Sequence, residues 1–310
     1  MPCLRITTTT AVLGAMALAA FAQEREQPRP GPFARAASAA SGKDSFVVEV
    51  KPLTSALADR ATPMIVHGRE VDPNEYPSSF QATADGKVCT WFLVGPQVLL
   101  SAAHCVVGVT SKDPVAQVKL PIGDKIFVAT CDVSAEYWKD ASQDWAACKV
   151  GEPVPVPGAV GLRVAGFEVL DVDPDDLLRR PQVEISGFGC VVAGGGPVEG
   201  YRIGTARVTG VPPDVRVPGS AALTPNAIKL EQSPSLLCKG DSGGPAFFYR
   251  RDRVHRGVIG INSSTALDAG RSYLASVGTE RAKAFLDGWA RDKKVTICGL
   301  HSQAKNCRPF

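Results

Sequence analysis

Past Ile65 the chain is written in short apolar runs, each broken within a few residues by Gly, Pro or Asp. Examples are Val98-Leu99-Leu100, Val183-Glu184-Ile185, Ala246-Phe247-Phe248-Tyr249 and Val258-Ile259-Gly260-Ile261. Runs of this length between turn signals read as strands, because a helix needs a longer stretch to complete an apolar face. Many short strands with frequent turns point to an all-β barrel or sandwich. One stretch departs from that texture. From Thr279 a polar cap leads into Ala282, Phe285, Leu286 and Trp289, spaced for one face of a helix ending near Lys294. Gly151 to Gly158, with three prolines, is a connector rather than a central strand. It divides the chain into two β subdomains, at about 65–157 and 158–278.

Upstream of Ile65 the composition is different. Arg5, the apolar run Ala11 to Ala22 and the Ala20-Phe21-Ala22 triplet have the layout of an export signal over residues 1–22. That run is too short for a bilayer span, and no later stretch is apolar enough, so no membrane anchor is expected. Residues 23–64 are rich in Pro, Ala, Arg and Ser and lack cysteine. They read either as a flexible leader or as a pro-segment, with one strand-like run, Ser45 to Val50. The expected location is secreted or periplasmic.

Charge excludes one class of partner. With 34 Lys+Arg against 31 Asp+Glu the net charge is +3, far from the basic excess of a dedicated nucleic-acid binder. Cysteine usage is more informative. Beyond the signal stand Cys89, Cys105, Cys131, Cys148, Cys190, Cys238, Cys298 and Cys307. An even set in an oxidising compartment favours disulfides. Close Cys pairs with nearby His are lacking, so neither a metal nor another cofactor is expected.

Three segments carry chemistry. In Gly240-Asp241-Ser242-Gly243-Gly244-Pro245 a serine flanked by glycines fits a tight turn that exposes Oγ and lets backbone N–H groups converge. An ordinary turn would look the same. Ser101-Ala102-Ala103-His104-Cys105 sets one of four histidines at a strand end, where it could also be structural. Asp144 opens Asp144-Trp145-Ala146-Ala147-Cys148, where a turn cap is the plainer reading.

Together, in the order His, Asp, Ser, these segments resemble the trypsin/chymotrypsin-like serine proteases over about Ile65 to Lys294. The resemblance implies two six-stranded antiparallel β-barrels packed together with a C-terminal α-helix. The protease domain would span 65–297, followed by a disulfide-bearing tail at 298–310. It implies Ser242 as nucleophile, His104 as general base and Asp144 as its orienting carboxylate, the family being the standard template for this chemistry. The N–H groups of Gly240 and Ser242 would form the oxyanion hole. Ser263 matches the family's substrate-strand serine, which makes the Asn262-Ser263-Ser264 glycosylation sequon a chance occurrence. Ile65-Val66-His67-Gly68 resembles the family's mature N-terminus, with His67 where Gly is usual. Cleavage after Met64 would free an amine to pair with Asp241, by an activating protease or by the enzyme itself.

The match thins at the specificity pocket. Leu236 occupies the usual floor position, with Leu237 beside it, which favours an apolar P1 side chain. Arg271 aligns with the pocket wall, where a cation would select Asp or Glu instead. Cys89–Cys105 matches a common family disulfide. Cys238 lacks its usual downstream partner, and Cys190 could reach it instead; Cys131 could pair with Cys148 and Cys298 with Cys307, although eight cysteines by themselves allow about 105 pairings. Two minor runs read as loops: Gly194-Gly195-Gly196, and the charged tip Arg250 to Arg256. The reading is a secreted serine endopeptidase made as a zymogen and acting on proteins or peptides. The alternative is a catalytically silent relative used as a binding module.

Overall fold

The structure, a computed structural model, describes residues 47–52, 65, 67–72, 75–84, 87–107, 117–158, 165–174, 177–190, 200–215, 224–231, 235–250 and 255–309. The export signal, most of 23–64, Met64, Val66 and the Gly194–Gly196 loop lie outside these, as does most of the Arg250–Arg256 tip.

Two strands, β1 (Val47–Pro52) and β2 (Arg69–Glu70), precede the body of the fold. The first barrel takes β3 (Ser79–Ala84), β4 (Lys87–Gly95), β5 (Val98–Ser101), β6 (Gln117–Ile122), β7 (Lys125–Val133) and β8 (Ala146–Val150). Between β5 and β6 lies a single helical turn, α1 (Ala103–Val106). Strands β3 to β8 are the six expected from the sequence, and β1 adds a seventh. The ring closes in the order β1-β3-β4-β5-β8-β7-β6. Burial in β7 alternates along Phe127, Ala129 and Cys131, the two-residue period of a strand with one face on the core. Trp91, Phe92, Leu93, Leu99 and Leu100 are all fully buried, so β4 and β5 are covered on both faces.

The second barrel is built from β9 (Gln182–Gly187), β10 (Arg202–Gly210), β11 (Ala227–Glu231), β12 (Pro245–Tyr249), β13 (Arg256–Ala266) and β14 (Arg271–Ser276). Pairing of β10 with β11 closes this ring of six, and β2 is appended outside on β10. Its core includes Ile65, Ile185, Ile228, Leu230, Leu237 and Leu274.

The C-terminal helix α2 (Glu280–Lys293) starts where the sequence places it. The Thr279 hydroxyl accepts from the Ala282 N–H at 3.2 Å, and Ala282, Leu286, Trp289 and Ala290 are buried. Trp289 Nε1 donates to Asp132 of β7 at 2.9 Å, which anchors the helix on the first barrel.

The tail beyond α2 is part of the fold. Residues 165–171, which join the barrels, pair with it: Phe167 N–H donates to Asn306 O, Arg308 N–H to Phe167 O and Leu170 N–H to Cys298 O, each at 2.9 Å. The Cys298–Cys307 disulfide closes that strap. Beneath it, fully buried Glu168 meets Arg256 at 2.7 Å and Arg308 at 3.4 Å. Arg256 in turn stacks 4.0 Å from the Tyr76 ring and 4.4 Å from Phe247. A buried carboxylate is tolerated here because two guanidinium groups flank it. All four expected cysteine pairs are formed.

Candidate active site

Strand β5 is buried at every position, so its C-terminal end is fixed in depth before the chain turns into α1. His104 lies on that turn, and the Cys89–Cys105 disulfide ties the turn back to β4. Asp144 sits immediately before β8, the neighbour of β5 in the ring. Strand pairing therefore brings together two residues 40 positions apart. His104 Nδ1 lies 2.6 Å from Asp144 Oδ2, and the His104 N–H donates to Oδ1 at 2.9 Å.

The second barrel supplies the third partner. Ser263 of β13 donates its hydroxyl to Asp144 Oδ2 at 2.6 Å. Asp144 is only 2% exposed. Burial alone would raise its carboxyl. The neighbouring imidazole, the hydrogen bonds from the His104 ring and Ser263, and the His104 amide together hold it below the usual carboxylate range. The contact at Nδ1 holds the orientation of the His104 ring. The His104 side chain is 22% exposed, so solvent reaches it.

Ser242 sits on a turn that the first barrel holds from below. Thr90 of β4 is wholly buried. Its N–H donates to Ser242 O and its hydroxyl to Gly240 O, each at 2.8 Å, while its Oγ accepts from Phe188 N–H at 3.2 Å. Ser101 donates to the Thr90 carbonyl at 2.9 Å. From the other side Asn262 Nδ2 reaches Ser186 O at 2.8 Å and Asp241 O at 3.1 Å. The Gly243 N–H donates to Asn262 O at 2.8 Å. The turn is thus joined directly to the residue before Ser263. Gly240 and Gly243 have φ of +106° and +82°, where an L side chain is strained. A Cβ on Gly243 would also overlap Ser101 Oγ and the Thr90 carbonyl. The glycines in this motif answer to crowding between the two barrels.

Asp241 points away from the cleft into a closed pocket. Its Oδ1 accepts from Gly189 N–H at 2.7 Å and its Oδ2 from Cys238 N–H at 2.8 Å. Burial pushes its carboxyl up to about 7, against the pull of those two amides and the charge of Arg202. Cys190–Cys238 locks the segments that supply the amides. Ile65 is fully buried in the second barrel's core, its Cγ2 close to Gly204. Its φ is +49° and that of His67 is +67°, left-handed values that are costly for a β-branched residue.

The expected pocket residues part company. Leu237 joins the core of the second barrel, its N–H bonded to Ser272 Oγ at 3.0 Å, whereas Leu236 is half-buried. Arg271 is engaged: its Nε contacts Glu231 Oε1, and Glu231 also accepts from Lys229 at 3.2 Å. Cys89, His104 and Cys105 are close enough together to hold a metal ion, but the two sulfurs are bonded to each other, and the ligating form is a thiolate.

Sequence reasoning missed Thr90, Ser101 and Asn262. No local signal marks a buried Thr in mid-strand as the tie between two barrels. The glycines flanking Ser242 were the only hint that something approaches that turn closely.

Among the described residues no helix is long and apolar enough to cross a membrane. The family model for Trypsin matches residues 65–281, beginning at the buried Ile65 and ending in α2. That match covers well over half of the chain and agrees with the double-barrel fold and the His104–Asp144–Ser263 cluster, and so this protein belongs to the trypsin family.

Proposed function

We propose that the chain is a secreted or periplasmic serine endopeptidase made as a zymogen. Residues 1–22 direct export, 23–64 form the upstream segment, and 65–297 are the enzyme followed by the 298–310 tail. Ser242 Oγ attacks the scissile carbonyl while His104 Nε2 takes its proton. The same imidazolium then protonates the leaving amine. Water repeats the sequence on the acyl-enzyme. Asp144 stabilises the imidazolium, and the Gly240 and Ser242 N–H groups receive the developing oxyanion.

One observation carries this reading: a buried Asp144 carboxyl in contact with His104 Nδ1, with an independent donor from the other barrel on the same oxygen. A structural histidine has no need of a carboxyl kept out of water at its Nδ1. Labelling the matured chain with a serine-directed fluorophosphonate tests it, with Ser242→Ala as control. Labelling at Ser242 is expected; an inert mature protein would leave the silent binding-module reading.

Activation is supported by Ile65. Its left-handed backbone in the uncut chain is a local cost of about 1–3 kcal/mol, and a free N-terminus removes that constraint. The new ammonium would then meet a carboxyl that is ionised only reluctantly in the uncut chain. Apolar P1 residues are the preferred substrates. The Glu231 contact already occupies the Arg271 guanidinium that an acidic P1 would need.

A further inference from the structure

Strand β1 comes from the segment expected to be discarded, yet it occupies an interior position in the first ring. Glu49, Val50, Lys51 and Pro52 stand opposite Thr83, Ala82, Gln81 and Phe80 of β3, running antiparallel. Val47, Val48 and Glu49 stand opposite Gln117, Val118 and Lys119 of β6, running parallel. Remove β1, and β3 and β6 each become an edge with a row of unpaired N–H and C=O groups. The sequence suits the place. Three of six residues are valine, and Pro52, which cannot donate, stands at the end of the strand.

The anchors on either side of the Met64–Ile65 bond are separate. Upstream, β1 is held wholly by the first barrel. Downstream, Ile65 lies in the core of the second barrel and β2 pairs with β10. A cut between them disturbs neither ladder. We infer that the gap between β3 and β6 is a strand-docking surface for residues 47–52 of this chain. The upstream segment then stays bound after the cut before Ile65, and the working enzyme is a two-chain protein. Residues 23–64 contain no cysteine, so the association is noncovalent. This rests on the activation reading above, but its test does not.

The test uses the full chain carrying Ser242→Ala, so that no activity is needed, with a specific protease site replacing residues 61–64. After cutting, the two fragments are run on size exclusion and native mass spectrometry without denaturant. The upstream fragment is expected to co-elute in 1:1 ratio and to leave only in denaturant. Hydrogen exchange should show the amides of 80–82 and 117–119 as protected after the cut as before it. The variant Val48→Pro/Val50→Pro, which removes two ladder donors, should release the fragment once cut. Loss of the wild-type fragment in native buffer would overturn the inference, because the ring would then do without β1. Loss of protection on cutting would overturn it too, as would equal retention of the double-proline variant. Whether cutting activates the enzyme is read separately, from fluorophosphonate labelling of the Ser242 form. A bound fragment on an unlabelled protein would sink activation and leave the strand standing.

Discussion

Asp144 and Asp241 are both buried carboxylates, the first in contact with His104 and the second next to Ser242 in the chain, and they behave in opposite ways. Asp144 accepts from an imidazole, a hydroxyl and an amide, and its carboxyl lies below the ordinary range. Asp241 accepts from two amides with only a distant cation, and its carboxyl is pushed up to about 7. Burial is the larger influence on each. The outcome turns on whether an ionisable side-chain partner is already in contact. At Asp144 that partner is supplied by strand pairing and is present as soon as the chain folds. At Asp241 it is missing from the uncut chain. The first site is therefore complete in the folded chain, and on the activation reading proposed above the second waits for a cation.

The largest expected effect breaks the Asp144 side. Asp144→Asn should lower kcat/KM by about 10⁴-fold with little loss of fold, because the amide holds the wrong imidazole tautomer. Steady-state kinetics with near-UV circular dichroism checks both halves.

The next separates the two carboxyls by pH. Asp241 binds a proton more tightly in the folded chain than in the unfolded one. Its contribution is therefore full below about pH 4 and is lost as pH rises to 7, on the order of 4 kcal/mol. Asp144 has the opposite sign, its contribution being lost as pH falls below the unfolded value near 4. Urea titrations of the uncut chain at pH 4, 5.5 and 7, compared with Asp241→Asn, should show the gap between them widen with pH in favour of the variant. In the cut enzyme the Ile65 ammonium should abolish that widening. A gap independent of pH in the uncut chain would refute the contrast.

Thr90→Val tests what links the two sites. It leaves the Gly240 carbonyl and the Phe188 amide without their buried partner, and should cost about 1–3 kcal/mol by denaturant unfolding. Because the same turn carries Ser242, kcat should fall while KM moves little.

Ser263→Ala should be the mildest. It removes one of three donors to an ionised carboxylate, and about 10-fold in kcat/KM is expected. Unchanged kcat/KM would reduce Ser263 to a packing role.

Much of this molecule is legible from local pattern. The strands past Ile65, the Thr279 cap with its buried face, and the His104, Asp144 and Ser242 motifs each sit in a window of a few residues. Periodicity, turn residues and the His–Asp–Ser order report on such windows directly. Of the cysteine pairs, only Cys89–Cys105 follows from the family pattern; the other three needed the fold to single them out. What escaped was long-range: Thr90 reaching from β4 to the Ser242 turn, Asn262 bracing it, Arg271 spent on Glu231, and β1 within the first ring.

The sequence by itself determined which residues could do chemistry and in what order, because residue type and turn geometry are local properties. Only the tertiary structure decided that the two aspartates differ in proton affinity, one lowered and one raised. Desolvation and the partners that offset it come from segments far apart in the chain. It also decided that an upstream strand belongs to the barrel, since a strand's place is set by the edges that pair with it.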